Sequence, residues 1–163
     1  MGNKTFQSKR HYVLCKQLLN STPEKIFPLL CPKMEYEWIE PWECNIIYSN
    51  SGFAEQDCIF STEFPEDIKE TWIVDRYEKD KVIQFIRFSE PRVIRYCISL
   101  FDNNNETTTA KWEQTITSLN EEGNLYVDNF SDEDYRKKIK ILEKMLNYFL
   151  KTGKMMKYVS DNT

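Results

Sequence analysis

Residues 131–157 read SDEDYRKKIKILEKMLNYFLKTGKMMK, and this stretch decides the fold. Ser131 is a helix-capping residue type. Asp132, Glu133 and Asp134 put negative charge on the first turn, and Lys151, Lys154 and Lys157 put positive charge on the last, each opposing the helix dipole. Tyr135, Ile139, Leu142, Leu146, Phe149 and Met156 recur at steps of three, four and seven, one helical stripe. Ile141, Met145 and Tyr148 form a second stripe beside it. An apolar face this wide predicts a long C-terminal helix buried against something large.

Its partner lies upstream. Residues 10–20 predict a first strand, and strand signals recur at 43–50, 56–63, 69–77, 82–88, 92–102 and 107–119. The turn signals Ser49-Asn50-Ser51-Gly52, Glu78-Lys79-Asp80-Lys81 and Asp102-Asn103-Asn104-Asn105 are too short for crossovers, so the strands pair as antiparallel hairpins. After the first strand, Thr22 as cap, Pro23 at the first helical position and Glu24 behind it start a helix. Pro28 and Pro32 keep it short. Residues 33–42 are an irregular aromatic segment. An antiparallel sheet with one apolar face needs a cover, and the C-terminal helix is the sizeable one in prospect. The predicted class is therefore α+β, a curved antiparallel sheet of about seven strands around that helix.

Alternation assigns the faces. Ala110, Trp112, Gln114 and Ile116 oppose Lys111 and Glu113, and Ile94, Tyr96, Ile98 and Leu100 oppose Arg95, Cys97 and Ser99. A four-residue turn at 78–81 pairs Val74 with Phe85 and Trp72 with Arg87, which puts Arg87 on the Trp72 face.

Bulk numbers narrow the function classes. The 163 residues suit one domain, spanning 1–163 with a core at about 10–157. The 14% aromatic content excludes a disordered chain. No stretch approaches the roughly 20 apolar residues of a membrane span. The first residues carry neither a signal-peptide pattern nor a myristoylation pattern, so a cytoplasmic location is expected. The net charge of −4 argues against non-specific nucleic-acid binding. Residues 131–163 nevertheless carry a net +3, and residues 1–130 a net −7. The basic face at Lys137, Lys140 and Lys144, with an exposed aromatic segment at Trp38 and Trp42, is the candidate surface for a protein partner.

Chemistry-bearing residues are sparse. Cys15, Cys31, Cys44, Cys58 and Cys97 have no metal or redox spacing and read as reduced thiols. His11, the single histidine, sits at the edge of the first strand. Glu63, Glu70, Asp75 and Glu113 read as solvated strand carboxylates, with Asp75 and Glu113 pointing outward by alternation. No catalytic set, metal site or cofactor motif emerges. Arg87 among rings suits a ligand carboxylate or a cation–π contact.

The order of strand, short helices, six-strand meander and long C-terminal helix resembles the START-like superfamily, the SRPBCC group of birch-pollen-allergen proteins and polyketide cyclases. The resemblance covers about residues 10–157. It rests on that order, on Asn20-Ser21-Thr22-Pro23-Glu24-Lys25-Ile26-Phe27, on Glu37-Trp38 to Trp42-Glu43-Cys44, and on Gly52-Phe53-Ala54-Glu55. Thr71-Trp72-Ile73-Val74 and Thr107-Thr108-Thr109-Ala110-Lys111-Trp112 continue it. It implies a helix-grip fold with two short helices after the first strand and a cavity between sheet and helix. Members of the group bind lipids, sterols or polyketides, act as cyclases, or serve as co-chaperone interaction modules. The implied function is non-catalytic binding of a hydrophobic small molecule. Phe60, Trp72, Val74, Phe85, Ile98, Trp112, Ile116, Leu142, Leu146 and Phe149 would form the wall. Arg87, Tyr96 and Gln114 would orient a polar end.

Overall fold

A computed structural model describes residues 5–40, 42–64 and 68–157. The start of the chain read for targeting patterns, Pro41 of the aromatic segment and the last residues of the 1–163 span lie outside the described residues.

Seven strands form one antiparallel sheet: β1 (Arg10–Leu19), β2 (Asn45–Tyr48), β3 (Ile59–Thr62), β4 (Glu70–Glu78), β5 (Val82–Phe88), β6 (Arg92–Asp102) and β7 (Thr108–Ser118). Their order is β1-β7-β6-β5-β4-β3-β2. Only β1 leaves its chain neighbour, crossing to pair with β7, as a sheet curling back toward its first strand requires. Val74 faces Phe85 and Trp72 faces Arg87, the register the 78–81 turn predicts. The bulge between Val74 and Arg76 takes up Asp75, which stays exposed and accepts from Gln84.

The C-terminal helix α3 (Asp132–Thr152) closes the sheet, burying Tyr135, Ile139, Met145 and Leu146. Ser131 caps it, its hydroxyl accepting the Asp134 N–H at 3.1 Å. The helix ends earlier than the sequence pattern suggests. Gly153 adopts φ 69° and returns its N–H to Phe149, so Lys154 and Lys157 lie beyond the last turn. The second stripe also splits: Met145 is buried, but Ile141 and Tyr148 are exposed, because the curved sheet covers only one flank of α3.

Along that flank α3 covers the edge of β1. Lys140 Nζ donates to the Lys16 carbonyl at 2.9 Å, Glu143 accepts the Leu18 N–H at 2.7 Å, and Asn147 accepts the Asn20 N–H at 2.8 Å. Polar helix side chains thus satisfy an edge that would otherwise offer itself to another strand.

The short elements after β1 are α1 (Pro23–Ile26) and 3₁₀ turns at Phe27–Leu30 and Met34–Glu37. Thr22 occupies the N-cap position, but its side chain makes no capping bond; its carbonyl accepts from Lys25 and Ile26 instead. With Pro23 next in line, a four-residue helix leaves few N–H groups for a cap to serve. The aromatic segment is not exposed at Trp38, which is fully buried and donates from Nε1 to the Leu29 carbonyl at 2.8 Å. Trp42 is half-buried and donates to the Pro32 carbonyl at 2.7 Å. Both indoles staple the turn segment to the core, so they give no support to an aromatic docking surface.

The sequence reading has no counterpart for α2 (Glu121–Asn129). Asn120 caps it by accepting the Gly123 N–H at 2.9 Å, and Glu121 and Glu122 fill its first turn. The glycine and the exposed Leu125 hide its periodicity. Gly123 has a packing reason: a Cβ there would meet the Pro91 carbonyl oxygen well inside van der Waals contact. Gly123→Ala must displace either α2 or the turn before β6. It should lower stability by about 1–3 kcal/mol in urea denaturation. An unchanged midpoint would mean that α2 does not sit against Pro91.

No helix among the described residues is long and apolar enough to cross a membrane.

Candidate functional site

Inward-facing residues of β3, β4, β5, β6 and β7 carry the rings. Phe60 and Trp72 stack at 5.2 Å, Trp72 meets Phe85 edge-on at 5.6 Å, and Tyr96 packs against Trp112 at 5.8 Å. Between these rings and α3 lie two adjoining hollows. One, of about 550 Å³, is lined by Arg87, Arg92, Tyr96, Gln114, Tyr126, Tyr135, Ile139 and Leu142, among others. The other, of about 260 Å³, is lined by Glu35, Ile39, Trp42, Phe64, Glu70, Trp72, Arg87, Tyr96, Trp112, Lys138 and Leu142. Arg87, Tyr96, Lys138 and Leu142 border both, so the hollows meet across the Arg87–Tyr96 face.

Of the sequence-predicted residues, Trp72, Arg87, Tyr96, Trp112, Gln114 and Leu142 line these hollows. Phe60, Val74, Phe85, Ile98 and Leu146 are buried in the core cluster behind them, and Ile116 is fully buried elsewhere on β7. Phe149 packs on the same cluster, half-buried.

The polar chemistry centres on Glu70, which is not a solvated strand carboxylate. Its side chain is 6% exposed. Arg87 donates to it bidentately at 3.0 and 2.6 Å, and Arg92 donates at 2.9 Å. Position 70 has the parity of Trp72, so alternation sends it inward. Burial pushes the Glu70 carboxyl up, but the two guanidinium groups outweigh burial and hold it below the usual carboxylate range. The Arg87 guanidinium lies 4.5 Å from the Trp72 ring centroid and 5.7 Å from that of Tyr96, a cation against two rings set nearly at right angles to each other. Arg92 lies 4.5 Å over Tyr126.

The second polar group is Glu35, on the 3₁₀ turn above β4. It borders the smaller hollow, and its carboxyl makes no hydrogen bond or ion pair with the described residues. Burial pushes it up to about 8, so the acid is protonated at neutral pH. Tyr96 is held well above its ordinary value by burial and stays a hydroxyl donor. The indole N–H groups of the site are spent on the protein: Trp72 donates to Thr62 at 2.9 Å, Trp112 to Gln17 at 2.8 Å, and Trp42 to Pro32. These rings offer the cavity their faces alone.

Glu35, Glu70, Arg92 and Lys138 escape the sequence-level site. Glu70 and Arg92 carry a readable signal, since each stands two residues before an inward-facing position, Trp72 and Ile94. Glu35 stands three before the buried Trp38, and side chains so spaced on a 3₁₀ turn share a side. His11 lines neither hollow; it is half-buried behind Phe130, which borders the larger one, and is bonded to Asp132.

By sequence, the chain matches no family model and no curated protein. By structure it is similar to norcoclaurine synthase of Thalictrum flavum, with a TM-score of 0.65, 8% identity, and coverage of 90% of this chain and 99% of that one. That enzyme has been solved with a transition-state analogue, and also with dopamine and hydroxybenzaldehyde. It is similar to Ara h 8.0201, with a TM-score of 0.60, 14% identity, and coverage of 88% and 99%. DynU16, from the dynemicin biosynthetic locus, has a TM-score of 0.59 and 15% identity, covering 88% of this chain and 48% of that one. The chain has the helix-grip fold of these solved proteins.

Proposed function

We propose that this chain, acting as a single domain, binds a small molecule with a largely apolar, ring-accommodating body between the sheet and α3. The observation that carries this reading is the ring-walled cavity whose indole N–H groups are all spent, while a few polar groups face inward without partners. Apolar walls with a small number of oriented polar groups are the usual make-up of small-molecule sites. The sites of the norcoclaurine synthase complexes, on the same fold, support the reading by analogy of architecture. Native mass spectrometry of the purified protein, joined to displacement of a fluorescent hydrophobic probe, tests it. A bound small molecule or saturable displacement is expected. An empty spectrum with no probe response would remove the proposal.

One observation favours a second reading, a cyclase-like enzyme. Glu35 and Tyr96 border the same hollow, and burial pushes the Glu35 carboxyl up to about 8, toward the range a general acid needs. Turnover of a polyketide-type substrate that disappears in Glu35→Gln would establish it, and turnover unchanged in that variant would not.

A further inference from the structure

The polar lining of the cavity is unbalanced. Arg87 spends Nε and Nη2 on Glu70, and its Nη1 has no hydrogen-bond partner among the described residues. Tyr96 borders both hollows, and its hydroxyl likewise makes no bond with the described residues. Two further donors, Arg92 Nε and the Tyr135 hydroxyl, are buried without partners around the larger hollow. Against these stands one buried carboxylate, Glu70, shared by two arginines. The buried triad keeps one positive charge, and at the borders of the larger hollow Lys138 and Asp134 bring opposite signs. The Gln114 amide, which lines the larger hollow and makes no side-chain hydrogen bond with the described residues, offers one oxygen, so donors and positive charge still exceed acceptors around the rings. Arg92 Nε and the Tyr135 hydroxyl are costly to leave buried without an acceptor, while Arg87 Nη1 and the Tyr96 hydroxyl are unpartnered donors left for a ligand, and a guanidinium answers a carboxylate best.

We propose, resting on the binding function above, that the ligand is an aromatic carboxylic acid, its carboxylate held by Arg87 Nη1 and the Tyr96 hydroxyl and its ring lying among Trp72, Trp112 and Phe64. Glu35 reinforces this choice, since in its protonated form it is a further donor and brings no charge to repel the anion.

Three naphthalene probes of one shape test it by calorimetry: naphthaleneacetic acid, naphthaleneethanol and naphthaleneethylamine. The acid should bind about tenfold more tightly than the alcohol, and the amine most weakly. Tyr96→Phe keeps the ring packed against Trp72, Phe85 and Trp112 and removes a hydroxyl that no described residue uses. That variant should fold normally, lose about five- to tenfold affinity for the acid, and hold the alcohol within about twofold. Equal binding of acid and alcohol, or an unchanged acid affinity in Tyr96→Phe, overturns the carboxylate assignment and leaves the binding function standing. Tightest binding of the amine overturns it in favour of a cation held among rings. If none of the three binds, the assignment falls together with the reading on which it rests.

Discussion

Replacing Glu70 by alanine is expected to lower stability by about 3–5 kcal/mol, because it strands two buried guanidinium groups without a counter-charge. Both arginines are enclosed: the side chain of Arg92 is 2% exposed and that of Arg87 17%. Their solvation has been given up, and the Glu70 carboxylate is the compensation. The ion triad as a whole is a different matter. Replacing all three members with apolar groups of similar volume should recover most of the loss, since the desolvation of every charge is then avoided. The combined variant Glu70→Leu, Arg87→Met and Arg92→Leu should therefore be more stable than Glu70→Ala alone. The pH dependence follows from the depressed carboxyl of Glu70. Its stabilisation is fully present above the usual carboxylate range and is lost as pH falls through the lower folded-state value. Wild type and Glu70→Ala should thus differ strongly near neutral pH and converge in acid. Urea denaturation at both pH values measures this. A Glu70→Ala loss below about 1 kcal/mol near neutrality would mean that the carboxylate does not neutralise the pair.

The strands and the long helix were legible because each has a single period and a single buried side. The register of β4 on β5 followed from the length of one turn, and it placed Arg87 beside Trp72. The same parity sends Glu70 inward with Trp72, and Arg92 inward with Ile94. Composition hid both, since a charged residue near a strand end is ordinarily solvated. Only three-dimensional packing shows that the two arginines converge on one carboxylate. The segment at 33–42 was less readable for a different reason. It mixes 3₁₀ turns and bends, so neither period applies, and the three-residue spacing that puts Glu35 on the side of Trp38 becomes readable only once the 3₁₀ turn is known. The extent of α3 depended on one residue: the pattern of apolar side chains runs on to Met156, but the left-handed Gly153 ends the helix. The ring content was visible at once. Whether rings meet or leave space is decided by rotamers, and here they do both: Phe60, Trp72 and Phe85 pack against one another, while Trp72 and Trp112 also border the hollow.

Glu35→Gln is expected to stabilise the protein in alkali by on the order of a few kcal/mol and to remove a slope from its stability–pH curve. Glu35 borders the hollow without a charged partner, and burial pushes its carboxyl up to about 8. Between the usual carboxylate range and about 8, the folded protein holds a proton on Glu35 that the unfolded chain has released. Stability must then fall as pH rises through this window, by about 1.4 kcal/mol per pH unit, and level off above it. Glutamine has nearly the shape of the protonated acid and does not titrate. The variant and wild type should therefore be equally stable in mild acid and diverge as pH rises. Tyrosines and cysteines that also titrate in alkali are common to both proteins, so the difference between the two curves isolates Glu35. Urea denaturation of both proteins from about pH 5 to pH 9 reads that difference directly. Parallel curves would mean that the Glu35 carboxyl is solvated like a surface acid. The smaller hollow would then lose its uncharged donor, and the cyclase-like reading would lose the acid on which it depends.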